Sequence, residues 1–237
     1  MTVKLVLLIT TVASLLILEN KLPFFRYQNS LGSRITANFG LGAINSILAS
    51  IWTIAITRFI ILPSIDFRLV ATIPNPVIAG IVAFLILDLY MYFWHRSMHQ
   101  LPLAWRFHRL HHTDRSMNVS TAYRFHPIEI ISSSIPKLLL IWLLGISTDY
   151  VLIYELVFTV VIVLHHSNLA ISKSIDQLLA LMIVTPNLHR IHHSQVVTET
   201  NSNYGSILNW WDRIFRTNND RDDVINIQLG LIDRDPA

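Results

Sequence analysis

Residues 88–112 read DLYMYFWHRSMHQLPLAWRFHRLHH, an apolar segment that runs directly into five histidines. These histidines form an HxxxH box at 95–99 and an HxxHH box at 108–112, and a second HxxHH box stands at 189–193. On a helix, residues three and four apart share a face, so the histidines of one box can converge on a metal-sized volume. The adjacent pair of an HxxHH box diverges by about 100° around the helix axis. One such helix can therefore supply two neighbouring metals, and the three boxes together predict a two-metal site.

The composition sets the class of protein. Of the 237 residues, 52% are hydrophobic and 14% are charged, which is typical of a small membrane protein rather than a soluble domain. The absence of cysteine excludes disulfides, thiolate metal sites and iron–sulfur clusters, so nitrogen and oxygen must hold any metal. The formal net charge is only +3, and the basic residues are scattered among apolar runs, so we expect no nucleic-acid partner.

Apolar runs predict an all-α integral membrane protein with four to five embedded helices and a helical cap that carries the dimetal site. We expect helices in the segments 3–18, 39–62, 77–94, 128–144 and 150–164. The first is interpreted as a retained helix rather than a signal peptide, because no small-residue cleavage site follows it. The last two form a hairpin that either crosses the membrane or dips part-way, and the short segment 175–184 is expected at the interface.

Charge bias orients these helices. Basic residues are concentrated between the first two segments and around the histidine boxes, whereas the loop between the second and third segments has only Arg68. The positive-inside rule then places the N-terminus outside and all three boxes on the cytoplasmic side. Near the outer side, Arg58 and Glu155 are expected to form an ion pair. We divide the chain into N-terminal membrane helices and a loop (1–76), a catalytic domain (77–217) and a polar tail (218–237).

The boxes resemble those of the fatty acid hydroxylase and sterol desaturase superfamily, which comprises integral-membrane di-iron oxygenases. The resemblance extends from about residue 80 to residue 217 in the family's order. Its further elements are Asp88, Arg96, RFHPIE at 124–129, HSN at 166–168, Thr185 with Pro186, NYG at 203–205 and WDRIF at 211–215. One departure is Arg216, where the family usually has glycine, and it concerns only the local turn.

Spacing and resemblance together assign eight metal ligands, and the RFHP and HSN elements of the family add two more. The predicted ligands are His95, His99, His108, His111, His112, His189, His192 and His193, with His126 and His166 added through the resemblance. His165 is interpreted as a helix-end residue. Metal-bound imidazoles usually donate their second N–H to a further group, and the candidates are Asp88, Asp114, Glu129 and Asn168. Asp88 leads them, because a carboxylate within an apolar span is costly unless it is partnered. The tryptophans at 94, 105, 210 and 211 are expected to be interfacial anchors.

The resemblance implies two iron ions, with zinc possible in isolated protein, and no bound flavin or haem. It implies a fatty acyl or sterol-like lipid as substrate, O₂ as co-substrate and a separate electron donor such as a cytochrome, ferredoxin or reductase. Hydroxylation and desaturation remain open. Two other classes are the alternatives: a zinc hydrolase, which needs an open metal position and a general base, and a metal transporter, which places ligands at mid-membrane. A bacterial inner membrane is favoured over the endoplasmic reticulum.

Overall fold

The computed structural model describes residues 2–27, 31–59, 68–221 and 223–232. Within these ranges the chain is helical, and β-pairing is limited to isolated bridges. The long helices are α1 (Thr2–Lys21), α2 (Gly32–Phe59), α3 (Pro76–Gln100), α5 (Pro127–Leu144) and α6 (Thr148–His166). Shorter helices are α4 (Pro102–His112), α7 (Lys173–Leu179), α8 (Pro186–His192), α9 (Val197–Thr200) and α10 (Trp210–Ile214), with 3₁₀ turns at Val119–Tyr123 and Val224–Asn226. The predicted all-α class is confirmed.

Four helices are long and apolar enough to cross a membrane: α2 over Gly32–Ala55, and the whole of α3, α5 and α6. The chain is therefore a membrane protein. Helix α3 begins at Pro76, where the Asn75 side chain caps the first turn, and it continues to Gln100. The third apolar segment thus runs into the HxxxH box as predicted. The helix α1 covers the predicted first segment, but it is not among the four candidate spans found in the described part of the chain.

The bundle has two distinct ends. At one end, Val70 N–H donates to the Leu144 carbonyl (2.8 Å), and the Tyr150 hydroxyl donates to the Pro76 carbonyl (3.0 Å). Gly145 ends α5 there with φ +65°, and a Cβ at this position would lie only 2.6 Å from the Cβ of Arg68. The tight turn predicted at 145–149 therefore packs closely against the loop before α3. The histidine-bearing ends of α3 and α6 lie at the opposite end.

Side-chain contacts of α1 and α8 hold the histidine end together. Glu19 at the end of α1 is buried, and its Oε2 accepts from the backbone N–H groups of Val119 (3.0 Å) and Asn168 (2.8 Å). Arg190 of α8 is fully buried and donates to the carbonyls of Ser167 (3.0 Å) and Leu169 (2.8 Å). Burial lowers the pKa of Arg190 to about 10, so this side chain remains a cation. The end of α6 is thereby fixed to α8.

The expected Arg58–Glu155 ion pair stays a prediction, because one of its two side chains is not described. Glu155 is paired with Lys137 of α5, because the α5–α6 hairpin sets these two side chains opposite each other. The side chain of Arg58 lies outside the described residues.

Arg216 has φ +55°, a left-handed conformation that disfavours side chains with a Cβ. The resemblance predicts glycine at this position. The arginine found here therefore keeps the turn at a cost in backbone strain. We predict that Arg216→Gly raises the free energy of unfolding by about 1 kcal/mol. Denaturant unfolding in detergent, with the exposed Arg213→Gly as the control in a helix, measures this. A lower stability for Arg216→Gly would contradict it.

Candidate metal centre

Nine of the predicted ligands lie in two compact groups at one end of the bundle. The first histidine group contains His95, His99, His108, His112 and His192, and the second contains His111, His166, His189 and His193. Within each group, one nitrogen from every ring lies within 4.8 Å of the others. This is the arrangement expected of two neighbouring metal sites made from imidazoles.

The two HxxHH boxes each divide between the groups. In α4, His112 belongs to the first group and His111 to the second, and in α8 the same division separates His192 from His193. The cause is the rotation of about 100° between successive helical residues, which turns adjacent side chains to different neighbours. Helix α3 supplies only the first group, and α6 supplies only the second.

Four of the histidines are oriented by hydrogen bonds from Nδ1. His95 Nδ1 donates to the Tyr204 carbonyl (2.9 Å), His192 Nδ1 to the Ser202 carbonyl (2.7 Å) and His166 Nδ1 to the Ile162 carbonyl (2.8 Å). His108 Nδ1 lies 2.8 Å from Glu129 Oε1. Because carbonyl and carboxylate oxygens accept, Nδ1 carries the proton in each neutral ring and Nε2 presents a lone pair.

In the second group these lone pairs crowd together. His166 Nε2 lies 3.0 Å from His111 Nε2 and 2.9 Å from His189 Nε2, and His189 Nε2 lies 3.2 Å from His193 Nε2. His166 Nε2 has a single lone pair, so it cannot accept hydrogen bonds from both neighbours. A cation among the four nitrogens satisfies all of them, and the residues therefore fit a bound metal ion.

The first group shows the same need for a cation. Among the described residues, neither ring nitrogen of His99 nor the Nε2 of His192 has a hydrogen-bond partner, and all three atoms are buried. His108 Nε2 lies 3.2 Å from His112 Nε2. Buried polar atoms in proteins are almost always partnered, so this concentration of partnerless nitrogens also fits a bound metal ion.

The protonation state also suits metal binding. Burial lowers the pKa of His111, His112, His189, His192 and His193 well below the ordinary value, so these rings are neutral near pH 7. Neutral imidazole is the form that binds a metal.

Of the four predicted supporting residues, only Glu129 contacts a histidine. Its Oε1 accepts from His108, and both residues are buried. Asp114 is instead paired with Arg34 (2.7 Å) and accepts from Thr121 Oγ1 (2.8 Å). Asn168 is bonded to the backbone N–H (2.9 Å) and carbonyl (2.8 Å) of Phe25.

Asp88 supports the metal centre indirectly. Its carboxylate accepts from the backbone N–H groups of Ile207 (3.2 Å) and Leu208 (3.1 Å) and from Trp211 Nε1 (2.9 Å). It therefore fixes the loop after Tyr204, whose carbonyl orients His95. The carbonyls of Tyr204 and Ser202 thus orient His95 and His192 through backbone atoms. In the sequence, the NYG element at 203–205 is the only sign of this arrangement.

Asp212 holds the same loop from its other side. It accepts from the N–H groups of Tyr204 (2.8 Å) and Gly205 (2.7 Å). Within this segment Asn203 adopts φ +53°, which asparagine tolerates better than most residues.

Two histidines differ from expectation. His126 belongs to neither group; it is half-buried, and its Nδ1 accepts from Ile128 N–H (3.1 Å) as the N-cap of α5. His165, expected to be an ordinary helix-end residue, is fully buried and stacks on His189 with ring centroids 4.0 Å apart. Within the described ranges neither ring nitrogen of His165 has a hydrogen-bond partner, so its side chain belongs to the surroundings of the second histidine group.

The tryptophans also contact the protein interior more than expected. Trp211 Nε1 is bonded to Asp88, and the Trp105 ring lies 5.0 Å from that of His99 and 5.4 Å from that of His112. Trp94 lines the cavity described next. Trp210 is exposed over 37% of its surface, although its Nε1 donates to the Leu181 carbonyl (2.9 Å), so it is the best remaining anchor.

A cavity of about 750 Å³ leads from the histidines into the membrane-spanning bundle. One end is formed by His95, His108, His111, His165, His166 and His189. Its walls come from α2, α3, α5 and α6 and are mainly apolar, for example Ile54, Met91, Trp94, Leu138, Phe158 and Ile162. The cavity thus connects the histidine groups with the apolar interior of the helix bundle.

Glu129 provides a test of the first histidine group. We predict that Glu129→Gln weakens metal binding at this group by about 10–100-fold, because the carboxylate that orients His108 is lost. The second group has no contact with Glu129 and should keep its affinity. Metal titration followed by elemental analysis distinguishes the two sites, and equal weakening of both would contradict the assignment.

Comparison with known proteins places the site in a family. The fatty acid hydroxylase family model matches residues 80–217, a range that includes all nine grouped histidines. Ornithine lipid hydroxylase OlsE of Rhizobium tropici is 34% identical over 141 residues, which cover 60% of this chain and 41% of that protein. Alkylglycerol monooxygenase of Danio rerio is also 34% identical over 141 residues, or 57% of this chain and 29% of that protein. The fatty acid hydroxylase vlmA of Lecanicillium sp is 32% identical over 163 residues, or 62% of this chain and 44% of that protein.

The chain thus spans less than half the length of these curated relatives. No solved structure matches it. Because the family model covers more than half of the 237 residues, including the complete histidine centre, the chain belongs to the fatty acid hydroxylase family.

Proposed function

We propose that this protein is a membrane-bound di-iron oxygenase that hydroxylates a C–H bond of a lipid, using O₂ and electrons from a separate donor. One observation carries the proposal: two groups of buried histidines form the end of an apolar cavity that lies between membrane-spanning helices. The relatives named above are hydroxylases and monooxygenases, which favours hydroxylation over desaturation.

The residues of the chain would have three roles in such a reaction: holding the metals, orienting the ligand rings and placing the substrate. The Nε2 atoms of the two groups would hold one iron each, and the irons would supply the activation of O₂ and the oxidation of the C–H bond. The carbonyls of Tyr204, Ser202 and Ile162 and the carboxylate of Glu129 keep the ligand rings in one orientation. The cavity wall places an alkyl chain against the centre and excludes water from it.

The two alternative classes fit the site less well. A zinc hydrolase needs a carboxylate that is free to activate water. Among the described residues the carboxylate in contact with a histidine is that of Glu129, and its Oε1 accepts from His108 Nδ1, which makes it a group that orients a ring. A metal transporter needs ligands at mid-membrane on facing helices, whereas these groups lie at the helix ends.

Anaerobic purification, loading with ferrous iron and measurement of O₂ uptake test the proposal. We expect about two irons per chain, as two histidine groups imply, and O₂ consumption that requires both extracted lipid and a reductant. Product analysis should show one added oxygen atom in the lipid. Product formation without O₂, or full activity with zinc alone, would refute the oxygenase and support a hydrolase.

We further propose that the metal centre faces the cytoplasm, because arginines surround the boxes while Arg68 is the sole basic residue of the opposite loop. Single cysteines at exposed Val197, beside the cap, and exposed Thr72, at the opposite end, can be probed because the chain has no cysteine of its own. An impermeant thiol reagent added to intact cells should label only Thr72→Cys. Labelling of Val197→Cys alone would reverse the orientation.

A further inference from the structure

An exposed apolar surface is formed by α7, by the turn that follows it and by α10. On α7, Ile175 and Leu178 share one face, and Lys173 and Gln177 lie on the opposite face. A group of exposed apolar side chains of this kind indicates an interaction site for a protein or a membrane. We name it the α7–α10 surface, and its members are Ile175, Leu178, Leu181, Met182, Trp210 and Ile214.

Hydrogen bonds join the two parts of this surface side by side. The Ala180 carbonyl accepts from Asn209 Nδ2 (2.8 Å), and the Leu181 carbonyl accepts from Trp210 Nε1 (2.9 Å). The Met182 carbonyl accepts from the Asn209 N–H (3.1 Å). Three successive carbonyls beyond the end of α7 therefore have partners within the protein. Backbone polar groups in a bilayer must be satisfied in this way, because the acyl chains offer them no hydrogen bonds.

A contact with α3 sets the depth of the surface. Trp211 of α10 donates from Nε1 to Asp88 (2.9 Å). The apolar run of α3 at 77–94 has a length of about 27 Å, close to the hydrocarbon thickness of about 30 Å. Asp88 precedes Trp94, the last residue of this run, by six residues, which is a rise of about 9 Å. Helix α10 thus lies beside the part of the membrane-spanning run that is nearest to the histidines.

The same contact keeps α10 at this depth. Asp88 is fully buried, although it belongs to a membrane-spanning helix. A position of α10 outside the bilayer would remove Trp211 from Asp88 and leave the carboxylate open to lipid, which is costly. With α10 in place, Trp210 and Ile214 are exposed at a level where the surroundings are acyl chains and head groups.

We propose that the α7–α10 surface is embedded in the leaflet nearest to the histidines, where it contacts lipid acyl chains without crossing the bilayer. Segments that lie in this boundary are buried by about 5–10 Å and present apolar side chains to the lipid. Trp210 is the residue type that is enriched at the boundary. The segment 175–184, expected at the interface from its sequence, supplies only one part of this surface, and α10 supplies the other. The inference concerns the seat of the protein in the membrane and does not depend on the proposed function.

Depth-dependent quenching tests the inference on the purified full chain in lipid nanodiscs, whose two faces are both open to solvent. Leu178→Cys and Ile214→Cys each carry a fluorescent probe, which has one attachment site because the chain has no cysteine of its own. Val197→Cys in the cap is the matched control, since Leu178, Ile214 and Val197 have exposed fractions of 68%, 62% and 64%. The quenchers are lipids brominated at successive acyl positions and, in the aqueous phase, iodide.

The probes at Leu178→Cys and Ile214→Cys should be quenched by brominated acyl chains, at a depth of about 5–10 Å, and shielded from iodide. The probe at Val197→Cys should be quenched by iodide alone. Met182→Cys replaces Leu178→Cys if that variant does not fold. Quenching of both surface probes by iodide, as at Val197→Cys, would overturn the inference. Shielding from iodide without quenching by brominated chains would also overturn it, since a second copy of the chain would then cover the surface.

Discussion

His192→Ala and His193→Ala are each expected to lower the metal content from about two ions per chain to about one, because the two residues belong to different groups. Lipid hydroxylation should fall by at least about a hundredfold in both variants, since loss of a direct ligand should exceed the 10–100-fold typical of a supporting residue. Insertion into the membrane should be unchanged, because it depends on the apolar spans. Elemental analysis beside product formation measures both effects.

His126→Asn is the matched control for these variants. His126 lies outside both groups and serves as an N-cap, a role that asparagine also fills. This variant should retain both metals. Loss of a metal from His126→Asn would restore His126 to the ligand set, and retention of both metals by His192→Ala would refute the two-group assignment.

Asp88→Ala is expected to lower the free energy of unfolding by about 3–5 kcal/mol, since it leaves two buried donors and one part-buried donor without an acceptor. The loop that carries the Tyr204 carbonyl should loosen, so metal binding at the first histidine group should weaken as well. Denaturant unfolding of the metal-free protein isolates the structural effect. Asp149→Ala, an exposed residue in the first turn of α6, serves as the control and should change stability by less than about 0.5 kcal/mol. A loss of less than about 1 kcal/mol for Asp88→Ala would contradict this account.

The histidine boxes were predictable because helical periodicity is a local property. The i, i+3 and i+4 spacing states which side chains share a face, and the division of each adjacent pair follows from the same geometry. His166 was predicted only through the resemblance of the HSN element, since it stands alone at the end of α6. The membrane-spanning helices followed from hydropathy in the same local way.

The contacts that could not be predicted depend on which face of a helix packs against which neighbouring element. Asp88 shares a face with His95, yet its carboxylate meets backbone from residues more than a hundred positions later. The pairing of Glu155 with Lys137 required the register of the α5–α6 hairpin, which no periodicity specifies. The places of His126 and His165 differ from expectation for the same reason: tertiary packing buries His165 against His189 and leaves His126 as the N-cap of α5.

The two histidine groups draw their residues from α3, α4, α6 and α8 with its C-cap, and the last of these residues is His193. During synthesis all four candidate spans are therefore made before the second histidine group is complete. Glu19 is synthesised early, but the backbone N–H of Asn168 that it accepts from lies 149 residues later in the chain. If the groups bind metal as proposed, metal acquisition would be a late step of biogenesis, and a nascent chain that stalls before α8 would have no complete site for either ion.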